Sequence, residues 1–324
     1  MTSDEPPAPW RHDEYSALFR ADPRATPFQS PAWLDAWWTH LGGGERVDVE
    51  ARDEGGQLIA ALPMFVWHDA GVRRLVPVGA TQSDYLDALV DPAAPGAREA
   101  LWRAILATGD RWDELMLHDV REDSPLLGEV PSGWHVTETP CETCPVLTLP
   151  STPPLLPQLG KTQRRKVVHD RHRAAALGGV TVAFATPHQI DDALSALFDL
   201  HAARWRLEGQ EGMLASPQVQ AFHRAAAPAL AAAGLLRLVV VRHDVRIVSV
   251  LLAFADARRG YSYVIGSDFS VAKQSFGTLA FARLIEACME DSAREFHFLR
   301  GEEGYKYQWG AEAMRTWRRT VRRR

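Results

Sequence analysis

The chain has 324 residues, of which 46% are hydrophobic and 24% charged, with a formal net charge of −5. Single cores rarely grow past about 250–300 residues, so two domains are expected. The mild negative charge does not advertise a nucleic-acid partner. No run approaches the ~20 apolar residues of a membrane-spanning helix. The polar, acidic start (MTSDEPPAPWRHDEY) lacks a signal-peptide core. Three cysteines fit a reducing compartment better than a disulfide framework, and the expected location is the cytoplasm.

Residues 1–27 are proline-rich, so the chain starts loosely before a first helix near Tyr15–Arg20. Ser30 and Pro31 supply an N-cap and a first helical residue for a helix whose Trp33, Trp37 and Trp38 read as core. Val47 to Trp67 alternates as a hairpin about Asp53-Glu54-Gly55-Gly56. Arg74–Val78 and Leu86–Val90 are further strands, with the polar loop Gly79–Tyr85 between them. A helix over 97–108 and a strand over 114–118 follow, then the turn-rich segment Ser124–Ser132 and one more strand within 137–149. Cys141-Glu142-Thr143-Cys144 has redox or half-zinc-site spacing. Bracketed by Pro140 and Pro145, it reads as incidental thiols in a linker-like loop. The cluster Pro150, Pro153, Pro154 and Pro157 marks a boundary between domains 1–150 and 151–324.

The run 161–173 (KTQRRKVVHDRHR) holds six Lys or Arg and two His against one acid. That suits a solvated helix face, or a surface that tracks an anion; without interleaved aromatics it does not support nucleic-acid stacking. Helices over 191–208 and 217–233 follow, Gly234 ending the second. Leu235–Arg242 and Ile247–Phe254 form a hairpin. Tyr261, Tyr263 and Ile265 alternate as a strand, and Gly277 opens an amphipathic helix with Phe281, Ile285 and Cys288 on one face. Glu295–Leu299 completes a parallel strand–helix–strand unit. Both halves share this order, which implies duplication of one α/β unit. The loop Gln274-Ser275-Phe276-Gly277-Thr278 leaves free N–H groups at a helix N-terminus, where an anion is favoured. A plain turn with nothing bound is the competing reading.

Arg164-Arg165, HAARWR (201–206), SVLLAF (249–254), YSYVIGSD (261–268), Gly277 and FHFLRGEEGYKYQW (296–309) together resemble the Gcn5-related N-acetyltransferase (GNAT) superfamily. The likeness is to the tandem branch with CelD/BcsL-type acetyltransferases and, more distantly, Fem-type aminoacyltransferases. Its most specific part is the tail, a short strand, then Gly, then Tyr-Lys-x-x-Trp. The resemblance implies an α/β (α+β) fold of two GNAT-like domains, each a mixed, mostly antiparallel sheet flanked by helices, the first degenerate and the second carrying the donor site. It implies acetyl-CoA or another acyl-CoA as cosubstrate and no metal. The donor would lie between the fourth and fifth strands, its pyrophosphate on Gln274, Ser275, Phe276, Gly277 and Thr278. In the loop pattern Q/R-x-x-G-x-G/A, Leu279 replaces the final small residue, which would tighten that site.

The same resemblance places Asp268, or second Glu302, as general base and Tyr305 as proton donor to the leaving thiolate. For each carboxylate a surface or capping role competes. Arg204, Arg206, Lys306 and Trp309 are expected at the substrate. Arg204 and Arg206 stand two apart, so at most one faces the cleft, and His201 reads as a packed core histidine. The implied activity is acyl-CoA-dependent N- or O-acyl transfer to a sugar, a polysaccharide precursor or a small amine. A Fem-like transferase using aminoacyl-tRNA and a non-catalytic binding protein of envelope polysaccharide biosynthesis are the alternatives. Monomer and homodimer both fit.

Overall fold

The computed structural model describes residues 8–150, 153–270 and 275–323. The chain divides into two compact units, Met1–Glu142 with Arg315–Arg324, and Thr143–Met314. The first half supplies α1 (Asp13–Ala21), α2 (Pro31–Leu41), β1 (Glu45–Arg52), β2 (Leu58–Asp69), β3 (Val72–Pro77), β4 (Leu89–Val90), α3 (Ala97–Ala107), β5 (Glu114–Arg121) and β6 (Trp134–Thr148). The second supplies α4 (Lys161–Leu177), β7 (Val180–Phe184), α5 (Ile190–Leu207), α6 (Pro217–Ala232), β8 (Leu236–His243), β9 (Arg246–Ala255), β10 (Arg259–Ser267), α7 (Phe276–Glu290), β11 (Glu295–His297), α8 (Gly304–Gln308) and β12 (Glu312–Arg323).

In the first unit, Ser30 Oγ accepts the Trp33 N–H at 3.3 Å and Pro31 opens α2, so the helix starts where the cap residues direct. Trp33 and Trp37 are buried, as their spacing implies. β1, β2 and β3 form an antiparallel meander, β5 lies parallel to β3, and β12 runs antiparallel along β5 from Thr316 to Arg322. The polar segment 79–88 is largely buried. Trp33 Nε1 donates to Ser83 Oγ at 2.8 Å and Gln29 Nε2 to the Tyr85 carbonyl at 2.6 Å, which draws it inward. Only Leu89–Val90 of the expected strand 86–90 pairs, against β2.

The C-x-x-C motif corrects a sequence expectation. Cys141 and Cys144 lie within β6, not in a linker loop, and both are free thiols. Residues three apart on a strand point to opposite faces, so the pair cannot close on one metal or on itself.

In the second unit the strand order is β6-β11-β10-β9-β8-β7. Val239 and Val241 of β8 belong to the core beneath α7, with Leu284, Ile285 and Cys288, while Val240 between them is also buried. That alternation means both faces of the sheet are covered. Two glycines of β10 let helices approach the sheet closely. A Cβ at Gly260 would overlap Cys288 Sγ of α7, and one at Gly266 would lie 3.0 Å from the Leu197 carbonyl of α5.

Apart from the two-residue β4, the order α–α–β–β–β–α–β in α1 to β5 recurs in α5 to β11, with β8 and β9 as the hairpin and β10–β11 as the parallel pair. Both units therefore carry GNAT-like topology within mixed α/β layers. The last sheet strand of each comes from the opposite half of the sequence. Val146–Thr148 of β6 pair with β11, and Thr316–Arg322 of β12 pair with β5.

Candidate active site

The site begins where a ladder ends. β10 and β11 pair at Arg259↔Glu295, Gly260↔Phe296 and Tyr261↔His297 only. β11 stops at His297 while β10 continues to Ser267, so the rest of β10 has an open edge on that side. The register against β9 shifts between Ser262 and Val264, a bulge that re-aims the strand at this point.

The open edge leads into a pocket of about 260 Å³. Ile265, Ser267, Asp268 and Phe269 form one wall, and Ser275, Phe276, Gly277, Thr278 and Phe281 bring the first turns of α7 to it. Tyr305, Gln308 and Trp309 line it from α8 and its C-cap, and Gln163 and Lys166 from α4. Ser275 has φ 49° and α7 has no side-chain N-cap bond; the Thr278 N–H donates to the Ser275 carbonyl at 2.9 Å, while those of Phe276 and Gly277 have no partner among the described residues. A Cβ at Gly277 would lie 3.3 Å from Ile265 Cδ1 and 3.5 Å from Ser267 Oγ, so any larger residue there occupies the space between α7 and β10. Leu279 is 5% exposed and packs in the core, taking no room from the pocket.

Of the residues expected from sequence, Asp268, Ser275, Phe276, Gly277, Thr278, Tyr305 and Trp309 line one pocket. Gln274 lies outside the described residues. Asp268 Oδ1 accepts from the Ser270 N–H (2.9 Å) and hydroxyl (2.6 Å), and Oδ2 lies 2.5 Å from Arg246 Nη2. Burial pushes its pKa up, but the Ser270 bonds and Arg246 prevail and hold the carboxyl below its usual range. Tyr305 is 39% exposed yet desolvated by the protein around it, foremost, with Glu303 nearby, so its hydroxyl titrates above the ordinary phenol value.

Other residues are not brought to the pocket lining. Lys306 is 3% exposed and donates to the carbonyls of Leu299 (3.2 Å), Arg300 (2.6 Å) and Gly301 (3.1 Å), with Glu303 at 2.9 Å. An ammonium has three donors, so those carbonyls occupy them all. Glu302 is exposed beside this turn, and Arg206 Nε turns back to the Ala202 carbonyl at 3.2 Å. Arg204 reaches further, its guanidinium 5.8 Å from the ring of Phe269 and 5.6 Å from Trp205. His201 accepts the Trp205 Nε1 hydrogen at 2.9 Å, and burial, then Arg204, lower its pKa to about 4, which keeps the imidazole neutral. Gln163 and Lys166 are the pocket residues that a reading of the basic run as a solvated face passes over. Their signal was the i, i+3, i+7 spacing of Gln163, Lys166 and Asp170 on a stripe with Val167 and Ala174, all but Lys166 buried.

A sheet opened between parallel strands beside a helix N-terminus is the GNAT-like fold that the sequence resemblance implies. Residues 161–307 match the family described as Acetyltransferase (GNAT) domain. No curated protein sequence matches the chain. Among solved structures it is similar to FemX, at 12% identity over 94% of each chain with a TM-score of 0.67. It is similar also to a conserved protein of unknown function from Bacteroides thetaiotaomicron (13% identity, 96% of this chain, 97% of that one, TM-score 0.62). A third is L-PGS from Bacillus licheniformis (12% identity, 90% and 91% covered, TM-score 0.53). At such identities these likenesses speak for the fold alone. No helix among the described residues is long and apolar enough to cross a membrane.

Proposed function

We propose that the second unit is an acyl-CoA-dependent N- or O-acyltransferase, acetyl-CoA being its first-choice donor and a sugar, polysaccharide precursor or small amine its acceptor. The observation that carries this reading is the open edge of β10 beyond Tyr261, leading to the uncapped start of α7. In it the thioester lies along β10, whose unpaired backbone N–H groups meet the oxyanion that develops as the acceptor attacks. Asp268 is ionised at neutral pH and takes the acceptor's proton, directly or through water; its pairing with Arg246 makes it a weak base that suits an amine already losing its proton to bulk. Tyr305 stays protonated through the neutral range and presents its O–H to the departing thiolate. The pyrophosphate rests on the first N–H groups of α7. We place the reaction in the cytoplasm, where acyl-CoA is supplied.

Calorimetric titration with acetyl-CoA tests the donor. Micromolar binding is expected for the native protein and none for Gly277→Trp, whose indole fills the gap beside Ile265. A folded native protein that gives neither heat nor a thermal shift with acetyl-CoA would sink the reading.

One observation favours a second, Fem-like reading with aminoacyl-tRNA as donor. Lys161, Arg164 and Arg165 are exposed on α4 and make no ion pair among the described residues. Loss of transfer after nuclease treatment would establish it in place of the first.

A further inference from the structure

α4 carries more than a solvated basic face. Gln163, Lys166 and Asp170, spaced three and four apart, turn one stripe toward α7. Lys166 Nζ donates to Asp170 Oδ2 at 2.7 Å and to Thr278 Oγ1, in the first turn of α7, at 2.6 Å. Further along, Arg171 Nη2 donates to Glu286 Oε1 at 2.7 Å. The partners rise together on both helices, so α4 and α7 run in parallel with their N-termini at one end of the pocket. One of the three Lys166 donors has no partner among the described residues and Lys166 lines the pocket. Gln163 is 3% exposed, lines the same pocket, and its amide has no hydrogen-bond partner among the described residues. An amide that lines the pocket from an otherwise buried side chain, with no partner among the described residues, is placed to meet a polar group that enters from outside.

We infer that α4 and α7 together form a subsite for a pyrophosphate diester, with Lys166 supplying charge and Gln163 a neutral amide, in addition to the α7 loop. The source of that anion rests on the acyl-CoA reading above. Asp170 and Thr278 hold the Lys166 ammonium in place before the ligand arrives, which limits the entropy lost on binding. Asp170 offsets part of its charge, and the exposed Lys161, Arg164 and Arg165 keep the surrounding field positive. The consequence is a donor site that reads phosphate with side chains from the helix between β6 and β7, as well as with backbone.

The test compares acetyl-CoA, S-acetylpantetheine (which lacks every phosphate) and inorganic pyrophosphate on three proteins. These are the native chain, Gln163→Leu, and the double variant Lys166→Met/Asp170→Leu, which removes the cation without stranding a buried carboxylate. Circular dichroism confirms that each is folded. Losing a charge-assisted contact should weaken acetyl-CoA roughly ten- to hundredfold in the double variant and roughly fivefold in Gln163→Leu. S-acetylpantetheine should bind all three alike, and pyrophosphate should bind the native chain and not the double variant. Pyrophosphate binding that ignores both substitutions overturns the subsite, as does equal weakening of both thioesters. If pyrophosphate binds in a Lys166-dependent way while acetyl-CoA does not bind, the subsite stands and the acyl-CoA reading falls; titration with UDP-N-acetylglucosamine then checks the other common source of a pyrophosphate diester.

Discussion

Replacing Lys306 with methionine separates a structural lysine from a substrate-binding one. The side chain is buried, and its three donors meet the carbonyls of Leu299, Arg300 and Gly301. Methionine keeps the apolar stem and removes the charge and all three bonds. Leu299 is 2% exposed, so its carbonyl would be left dry, while Arg300 and Gly301 are half-buried and can rehydrate. One orphaned buried acceptor costs about 1–3 kcal/mol. Leu299 also sits at φ 58°, a left-handed conformation costing a non-glycine residue about 1–2 kcal/mol, which the ammonium helps to hold. Together these give a loss of roughly 3 kcal/mol, since the two effects share one contact and do not simply add. Urea denaturation followed by circular dichroism measures it. Lys306→Arg should recover little, because a planar fork cannot aim at carbonyls gathered about one point. A midpoint within about 0.5 kcal/mol of the native one, with a raised KM, would refute the reasoning and return Lys306 to the substrate.

Three further outcomes are expected. Burial, opposed by Arg121 and Ser124, raises the Asp87 pKa from 3.8 to about 6, so its contribution to stability is full below about pH 4 and lost as pH rises through 6. Asp87→Asn should therefore gain about 2–4 kcal/mol relative to the native chain between pH 4 and pH 7.5, read by denaturant titration at both; parallel pH curves would disprove it. Tyr305→Phe should lower kcat about a hundredfold with donor affinity unchanged in single-turnover assays, and an unaltered kcat would remove Tyr305 from the chemistry. Burial pushes the Cys288 thiol up to about 12 and Cys144 is fully buried, so a thiol reagent on the native protein should modify only half-buried Cys141, with all three reacting once urea is added.

The sequence disclosed the elements that bury one regular apolar face. The hairpins β1–β2 and β8–β9 and the helix α7 carry period-2 or period-3.6 patterns, and they form within a few residues of where those patterns lie. β12 went unread for a physical reason. Its inward positions include Thr316 and Arg319, fully or nearly fully buried, and Arg319 donates through its two terminal nitrogens to the carbonyls of Leu126 and Gly128 and lies 5.2 Å over the Trp102 ring. A strand whose core face is polar shows no alternation, and its partners lie far away in sequence. β7 is short and half-exposed, which blurs its pattern in the same way. At the site, the α7 loop and the tail were legible through local motifs. Lys306 was not, because an ammonium folded onto nearby carbonyls looks in sequence like one that faces solvent. Gln163 was hidden among charges that do face solvent.

The crossing of β6 and β12 sets an order of events during synthesis. β5 leaves the ribosome early, yet the strand that flanks it within its own unit spans Thr316–Arg322 and emerges only after the whole second unit, Thr143–Met314, has been made. Until then the first unit carries an unpaired edge, of the kind other chains can add to. The second unit is under no such delay, because β6 is already waiting when β11 appears. The half that holds the pocket can thus finish its sheet first, while the other half waits until the second unit has been made.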